Sequence, residues 1–244
     1  MDRYYLTDTI FIKDSFYFYE KNNKEIKIKE NDWHIYLKEY GWNKLNKKWI
    51  IKLNKLSNKK YKNSPFSVLD CGAEGDCLFK CISYALLPYD KIHENDNNFK
   101  IIRNILSDHI NEELFKNITD IYKISKNNGE FKELWDPYSI TIEEFKCKIK
   151  SGGNDYWGDF ILLDILREIL KINIIVMYTN IITEDYYNYP LFYDYNINKK
   201  TIILSYEDDE HFKLIGYYND SKIIYLFNHE DIPIEILRLT NIMR

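Results

Sequence analysis

A cysteine at the start of a helix-capable segment is the strongest chemical feature of this chain. The polar run 70–76 (DCGAEGD) leads into Cys77, and apolar residues follow it at helical spacing: Leu78, Phe79, Ile82, Ala85 and Leu86. Backbone N–H groups and the helix dipole stabilise a thiolate at such a position. The same N–H groups can hold the oxyanion that forms when the sulfur attacks an acyl group. The pattern predicts that Cys77 is a nucleophile, whereas most free cysteines are small buried hydrophobes.

A histidine far downstream supplies the base that such a thiol needs. His211 follows the acidic run 208–210 and precedes Phe212, between two strand-like runs at 201–206 and 212–218. A typical histidine in an acidic loop is a solvated surface residue. His211 differs because it stands at the entrance to an apolar strand, where Phe212 can be buried beside it. We therefore predict that His211 takes the proton from the Cys77 thiol and later returns it to the leaving amine.

These residues resemble the signature of the ovarian tumour (OTU) family of cysteine deubiquitinases. Residues 74–79 (EGDCLF) are similar to the family's usual Asp-Gly-Asn-Cys-Leu-Phe, and His211-Phe212 is similar to its late His-Tyr or His-Phe. Residues 156–159 (YWGD), with the apolar segment after them, resemble its Trp-Gly block. The three blocks occur in the family's order between about residues 67 and 218, and the first block is the specific one.

The resemblance implies a function and a class of fold. It implies a papain-like OTU fold of the α+β class, with a small, mostly antiparallel sheet flanked by helices. It implies a thiol protease that hydrolyses the isopeptide bond after the C-terminal glycine of ubiquitin or of a ubiquitin-like modifier. The expected partners are ubiquitin or polyubiquitin chains, bound by a monomer in the cytoplasm. No cofactor, nucleic acid or membrane is expected.

The resemblance also assigns roles around the nucleophile. Backbone N–H groups of Cys77 and the preceding loop, which includes Gly75 and Asp76, would form the oxyanion hole, and Glu74 would support that loop. Gly75 allows the chain to turn tightly. The substrate channel is predicted to be lined by Trp157 and Phe212. For Trp157, a place in the core is an equal alternative.

Two positions depart from the family pattern. Glu74 stands where family members usually have Asp. Lys213 stands two residues after the histidine, where an Asp or Asn commonly orients the imidazole, and a lysine cannot accept the imidazole N–H. The acceptor then comes from the acidic run (Asp208, Asp209 or Glu210) or from the N-terminal part, or the protein works as a Cys–His dyad. The alternative function is a weakened or inactive ubiquitin-binding module.

The composition and charge are those expected for a compact soluble enzyme, and they bear on its partner and its source. The chain has 244 residues, of which 45% are hydrophobic and 30% charged, so it can bury a core. Residues 1–70 carry fifteen basic and nine acidic residues, and because the net charge is −4, residues 71–244 carry −10. An acidic catalytic part would attract a basic partner surface. The Lys-, Asn-, Ile- and Tyr-rich composition is typical of an AT-rich genome, such as that of a virus, a parasite or an intracellular bacterium, and a protein from such a source would act in the host cytoplasm.

The other cysteines are predicted to have no chemical role. Cys81 lies one helical turn after Cys77, on the inner face of the predicted helix, which indicates a buried thiol. Cys71 and Cys147 lack either a polar glycine loop before them or a helix start, and they are predicted to be similar, reduced thiols. Cys71, Cys77 and Cys81 are spaced by six and four residues, and no His–Cys cluster completes a tetrahedral set. No metal site is predicted.

Two domains are predicted, divided after residue 63. Residues 1–63 form an extension with strand-like residues 4–19 and a basic amphipathic helix that starts near Trp42. This helix could bind nucleic acid or a membrane surface, but two tryptophans on its apolar face favour packing within the protein. Residues 64–244 form the catalytic domain. Helices are predicted at 77–87, 99–118, from Thr141, from Asp159 to Leu170 and after Pro233, and strands at 173–178, 201–206, 212–218 and 223–227.

Overall fold

The computed structural model describes residues 3–57, 64–87, 98–180, 183, 185–188, 195–208 and 210–242. These residues form two compact units, one of residues 1–71 and 172–244, the other of residues 72–171. The strands are β1 Tyr4–Tyr5, β2 Ile10–Lys13, β3 Phe16–Lys21, β4 Lys24–Lys27, β5 Trp42–Lys44, β6 Phe66–Leu69, β7 Asn173–Asn180, β8 Asp185–Asn188, β9 Thr201–Glu207, β10 His211–Asn219 and β11 Lys222–Ile224. The helices are α1 Trp33–Tyr36, α2 Lys47–Ser57, α3 Cys77–Leu86, α4 Phe99–His109, α5 Glu112–Asn127, α6 Ile142–Ser151, α7 Phe160–Leu170 and α8 Ile234–Leu239.

The first unit is built on two sheets. Strands β1 to β4 form an antiparallel meander, and the second sheet has the order β5-β6-β10-β9-β7-β8, with β11 paired to β10. All of its pairings are antiparallel except β7 with β9. The predicted α+β class with a mostly antiparallel sheet is therefore confirmed. β5 precedes residue 64 and pairs with β6 after it, so both predicted domains contribute strands to this sheet.

Helices α2 and α8 cover a core on this second sheet. Leu45, Trp49 and Leu53 are buried together with apolar residues of the central strands and of α8. The indole Nε1 of Trp49 donates a 2.7 Å hydrogen bond to Thr179 Oγ1. The prediction that the basic helix packs its apolar face within the protein is confirmed.

The start of that helix differs from the prediction. Trp42 lies in β5, opposite Leu69, and the helix begins only at Lys47. The reason is local: the Asn46 side chain accepts a hydrogen bond from the Lys48 backbone N–H, as an N-cap residue does. Trp42 and Leu45 have the spacing of a helical apolar stripe, but both residues lie before the helix.

The second unit consists of helices α3 to α7 and a 3₁₀ turn at Gly153–Asp155, among its described residues. Thr141 and Glu144 form the predicted capping box, and Asp159 caps α7 by accepting from Leu162 N–H. The predicted single helix over residues 99–118 is wrong. It ends at His109, because Asn111 caps a new helix by accepting from Leu114 N–H.

Candidate active site

The predicted site residues fall into two groups, one in each compact unit. Glu74, Gly75, Asp76, Cys77 and Trp157 belong to the helical unit, whereas His211 and Phe212 belong to the sheet unit. The pairing of Cys77 with His211 stays a prediction.

Cys77 is the first residue of α3, as the sequence predicts. It is 3% exposed. The loop before it turns through two consecutive residues with positive φ, Glu74 at 68° and Gly75 at 82°. Asp76 precedes the helix but does not cap it with its side chain. The first N–H groups of α3 are therefore not occupied by the Asp76 carboxylate, as an oxyanion hole at this position requires.

The Asp76 carboxylate instead holds the loop in place through hydrogen bonds to other parts of the helical unit. Its Oδ1 accepts hydrogen bonds from Arg103 Nε at 2.8 Å and from Gly153 N–H at 3.0 Å. Arg103 also donates to the Gly75 carbonyl at 3.0 Å. The loop contacts that the structure describes thus run through Asp76 and Gly75, whereas the Glu74 side chain, predicted to support the loop, is exposed.

Sequence reasoning missed Arg103. Its side chain is fully buried, although arginine is rarely buried in proteins. A signal for it exists in the sequence: Phe99, Ile102, Leu106 and Ile110 make a helical apolar stripe, and Arg103 is the one charged residue on it. A cation on a buried helical face requires an anion or several carbonyl groups beside it.

The Trp157-Gly158 segment packs directly against the nucleophile helix and its loop. A Cβ on Gly158 would lie 2.7 Å from the Leu78 Cβ, and a Cβ on Gly75 would lie 3.2 Å from the Trp157 ring. Trp157 is 40% exposed, which excludes the core alternative for this residue. Its contact with a substrate stays a prediction.

Two carboxyl groups, those of Glu133 and Asp159, form hydrogen bonds in and beside the Trp157-Gly158 segment. Glu133 Oε1 accepts from the Trp157 backbone N–H at 3.2 Å, and Asp159 Oδ2 accepts from Tyr122 OH at 2.5 Å. Burial, and secondarily the charge of Asp159, raise the pKa of Glu133 to about 7. Burial also raises the pKa of Asp159. One of the two carboxyl groups therefore changes its charge near neutral pH.

Replacing Glu133 by glutamine is expected to remove a pH dependence of stability. A carboxyl group whose pKa is raised from 4.5 to about 7 on folding stabilises the fold below pH 4.5, and this contribution is lost as the pH rises through 7. Glu133→Gln should therefore be more stable than wild type at pH 8, by about 1 kcal/mol, and its stability should fall less between pH 5 and 8. Urea unfolding at the two pH values measures this, with the exposed Glu130→Gln as the matched control. An unchanged slope in Glu133→Gln would contradict the assignment.

His211 has a carboxylate partner that the sequence did not indicate. Its Nε2 lies 3.0 Å from Asp70 Oδ1, and the two residues are 141 positions apart in the chain. Asp70 directly follows β6, which pairs with β10, the strand that His211 begins. When the Nε2–H group donates a hydrogen bond to the Asp70 carboxylate, the lone pair of Nδ1 becomes the basic position of the ring.

Phe212 is buried as expected, but it does not line a channel. It is 0% exposed, and its ring packs 4.4 Å from that of Tyr206 on β9. Side chains alternate along a strand, so when His211 faces the solvent side, Phe212 points into the core. The assignment of Phe212 to the substrate channel is wrong for this reason.

Lys213, the departure from the family pattern, is neutralised by a neighbour. Its Nζ lies 2.5 Å from Glu207 Oε2 on the adjacent strand β9. Asp70, which was not among the acceptors predicted for His211, lies at hydrogen-bond distance from its Nε2. Of the predicted acceptors, Asp209 lies outside the described residues. The lysine therefore does not leave the imidazole without an acceptor.

Replacing Lys213 by aspartate, the residue type common in the family, is expected to bring no gain in activity. Asp70 already accepts from the imidazole, and a new carboxylate would face Glu207. We expect catalytic rates within about threefold of wild type and a loss of about 1 kcal/mol in stability from like-charge contact. Hydrolysis assays and urea unfolding of Lys213→Asp, with Lys213→Met as control, measure both. A rise in activity of tenfold or more would show that Asp70 does not serve His211.

The remaining cysteines differ in exposure. Cys81 is buried as predicted, Cys71 is half-buried, and Cys147 is exposed, so the prediction of a buried thiol is wrong for Cys147. Cys147 lies on α6 and lines an open cleft of about 450 Å³ with residues that include Trp135, Glu144 and Lys148. No group of three metal-ligating side chains occurs within the described ranges. In that same part of the chain, no helix is long and apolar enough to cross a membrane.

Comparisons with known proteins give matches among solved structures. No family model and no curated protein sequence matches the chain. The Hazara virus OTU bound to ubiquitin matches with 12% identity and a TM-score of 0.39, over 63% of this chain and 82% of that one. The OTUD1 OTU domain matches with 14% identity and a TM-score of 0.39, over 68% and 93%. An ovarian tumour domain in complex with ubiquitin matches with 16% identity and a TM-score of 0.39, over 71% and 83%.

All three of these structures are OTU domains, the kind of domain that the motif at Cys77 resembles.

Proposed function

We propose that the protein is a cysteine-type deubiquitinase. Its substrate is ubiquitin, or a ubiquitin-like modifier, joined through its C-terminal glycine to a lysine amine. Cys77 is the nucleophile, His211 the general base and acid, and Asp70 the residue that orients the imidazole. The proposal rests on the sequence motif and on the contacts of the two groups of residues.

In the first half of the reaction, His211 accepts the proton of the Cys77 thiol, and the sulfur attacks the carbonyl carbon of the terminal glycine. The carbonyl oxygen becomes an oxyanion, held by backbone N–H groups of Cys77 and its loop. The C–N bond then breaks as His211 gives its proton to the departing lysine amine, leaving a thioester on Cys77.

In the second half, a water molecule attacks the thioester. His211 accepts a proton from the water as the new C–O bond forms. The C–S bond then breaks, and the proton returns to the sulfur. The products are the carboxylic acid of ubiquitin, which ionises by releasing the second proton of the water to solvent, the lysine amine and the regenerated thiol. The steps need no oxidant, reductant or metal ion.

The observation that carries the proposal is the contact between His211 and Asp70. A solvated surface histidine needs no oriented partner, whereas a general base works best when one ring nitrogen is held and the other is aimed at the nucleophile. In the 3.0 Å contact, Asp70 can hold Nε2 of His211, the first residue of β10. The other ring nitrogen, Nδ1, is then available for the nucleophile. The contact also supports an active enzyme despite Lys213, because Asp70 can accept the imidazole N–H that a lysine cannot.

The decisive experiment uses ubiquitin that carries a C-terminal propargylamide, which forms a covalent adduct with an active-site thiolate. Wild-type protein should form the adduct, and Cys77→Ala should not. Cys81→Ala is the matched control, because Cys81 lies one helical turn along on α3 and is buried, and it should react like wild type. His211→Ala should lower cleavage of a ubiquitin chain by about a thousandfold or more.

Two results would contradict the proposal. Ubiquitin binding without an adduct would favour the inactive ubiquitin-binding module. Neither adduct nor binding would mean that the protein acts on another substrate.

A further inference from the structure

The guanidinium group of the buried Arg103 forms four hydrogen bonds, which link several parts of the helical unit. Arg103 lies on α4, and its guanidinium group donates to Asp76 Oδ1 and to three backbone carbonyl groups. These carbonyls belong to Gly75, Ile149 and Tyr156, each at 3.0 Å. Its cationic carbon lies 3.9 Å from the centre of the Phe79 ring on α3. One side chain thus joins the nucleophile loop, the nucleophile helix, α6 and the segment before Trp157.

Holding a charged arginine in this position is costly. Burial lowers the pKa of Arg103, and the carboxylate of Asp76 is the largest influence that opposes this effect. A buried ion pair often contributes little net stability, because desolvation of both charges offsets their attraction. The arrangement is therefore better explained by the geometry that it imposes than by the stability that it adds.

One consequence is the direction of the Gly75–Asp76 peptide. This peptide is trans, so its carbonyl and its N–H group point in opposite directions. Because Arg103 holds the Gly75 carbonyl on the buried side, the Asp76 N–H must point away from the arginine. The Asp76 N–H is one of the loop donors that the proposed oxyanion hole uses.

The same principle fixes a second peptide, between Tyr156 and Trp157. Arg103 holds the Tyr156 carbonyl, and the Trp157 N–H accordingly points the other way, where it donates to Glu133 Oε1 at 3.2 Å. A single guanidinium group therefore sets the direction of two peptide planes, one in the nucleophile loop and one in the segment that packs against it.

We propose that Arg103 is a positioning residue for the reaction: it holds the Gly75–Asp76 peptide in the orientation that presents the Asp76 N–H to the oxyanion. This inference rests on the proposed function. It predicts that loss of Arg103 impairs the step that builds negative charge on the carbonyl oxygen, and that it leaves the intrinsic nucleophilicity of Cys77 largely intact.

Lysine cannot take the place of arginine here. The four hydrogen bonds leave from three nitrogen atoms of a planar fork, whereas a lysine has one nitrogen with three donors. Arg103→Lys keeps the charge beside Asp76 but cannot hold both the Gly75 and the Tyr156 carbonyls at their present positions. It is therefore a sharper test than removal of the charge.

The test compares two reactions of the same thiol. Hydrolysis of a fluorogenic amide of the ubiquitin C-terminus passes through an oxyanion, whereas alkylation of Cys77 by iodoacetamide does not. For Arg103→Lys we expect kcat to fall about 100-fold or more, KM to stay within about threefold, and the alkylation rate to stay within about threefold. Ser107→Ala is the matched control, because it removes a buried hydrogen bond from the same helix, to the Lys146 carbonyl, without touching the loop. It should hydrolyse the amide like wild type.

A second variant keeps the test decisive if Arg103→Lys folds poorly. Hydrolysis by Arg103→Ala should rise at least tenfold on addition of ethylguanidinium and should not rise with ethylammonium. Equal losses in hydrolysis and alkylation, or hydrolysis by Arg103→Lys as fast as by Ser107→Ala, would overturn the inference and leave the proposed function standing. A wild-type protein that hydrolyses no ubiquitin amide would overturn the proposed function, and this inference with it.

Discussion

Replacing Asp70 by alanine is expected to lower kcat/KM for ubiquitin substrates by about a thousandfold, with little change in stability. The carboxylate lies 3.0 Å from His211 Nε2 and is half exposed, so the contact adds at most about 1 kcal/mol to folding. Its effect on catalysis is larger because an unheld imidazole samples other tautomers and ring orientations, and removal of the orienting acid costs about three to four orders of magnitude in related triads.

Asp70→Asn separates orientation from charge. An amide oxygen can accept the same imidazole N–H, but it adds no negative charge to stabilise the imidazolium. Because Cys-His-Asn triads of papain-like proteases use such an amide, we expect a smaller loss than in Asp70→Ala, on the order of tenfold to a hundredfold. Steady-state hydrolysis of a ubiquitin C-terminal amide and urea unfolding measure the two effects separately.

Asp208→Asn and Glu210→Gln are the controls for Asp70. Both residues precede His211 in the chain and were candidates for the orienting group on sequence alone. Each variant should keep activity within about threefold of wild type, and asparagine tolerates the positive φ of 52° at position 208. A larger loss in either variant than in Asp70→Ala would transfer the orienting role to that residue.

The difference between Asp70 and the acidic run shows which contacts a sequence can reveal. Features that depend on neighbours in the chain were predictable: the helix that starts at Cys77, the Thr141 capping box and the Asp159 cap all follow from residue order and spacing. Asp70 reaches His211 only because β6 pairs with β10 in a particular register. No local pattern specifies that register, so the nearer acidic residues were the natural candidates.

The errors have local physical causes as well. Asn111 interrupts the long helix because an N-cap side chain followed by Glu112 and Glu113 starts a new helix more favourably than it continues an old one. The role of Arg103 does not follow from spacing, because its partners Asp76, Ile149 and Tyr156 lie 27 to 53 positions away in the chain. Both signals are visible in the sequence when polar residues on apolar faces are read as evidence of contacts.

Replacing Gly75 by alanine is expected to cause the largest structural change at the candidate site. The added Cβ would lie 2.1 Å from the Gly153 carbonyl oxygen and 2.8 Å from its carbon, which are backbone atoms of a tight turn and cannot rotate away. The positive φ of 82° adds conformational strain. The loop must therefore move, and the Gly75 carbonyl must leave Arg103. We expect kcat to fall at least 100-fold and stability to fall by about 2 kcal/mol or more.

Gly129→Ala isolates the role of the close contact. Gly129 has a similar positive φ of 76°, but a Cβ there would meet no atom within 4 Å. It should therefore show the conformational cost alone, about 1 kcal/mol, with unchanged hydrolysis. The difference between the two variants, in unfolding and in kcat, measures what the contact between the nucleophile loop and the Gly153 turn contributes. If Gly75→Ala hydrolysed ubiquitin amides as fast as Gly129→Ala, the loop geometry would not be required for the reaction, and the oxyanion hole would have to be sought in other donors of α3.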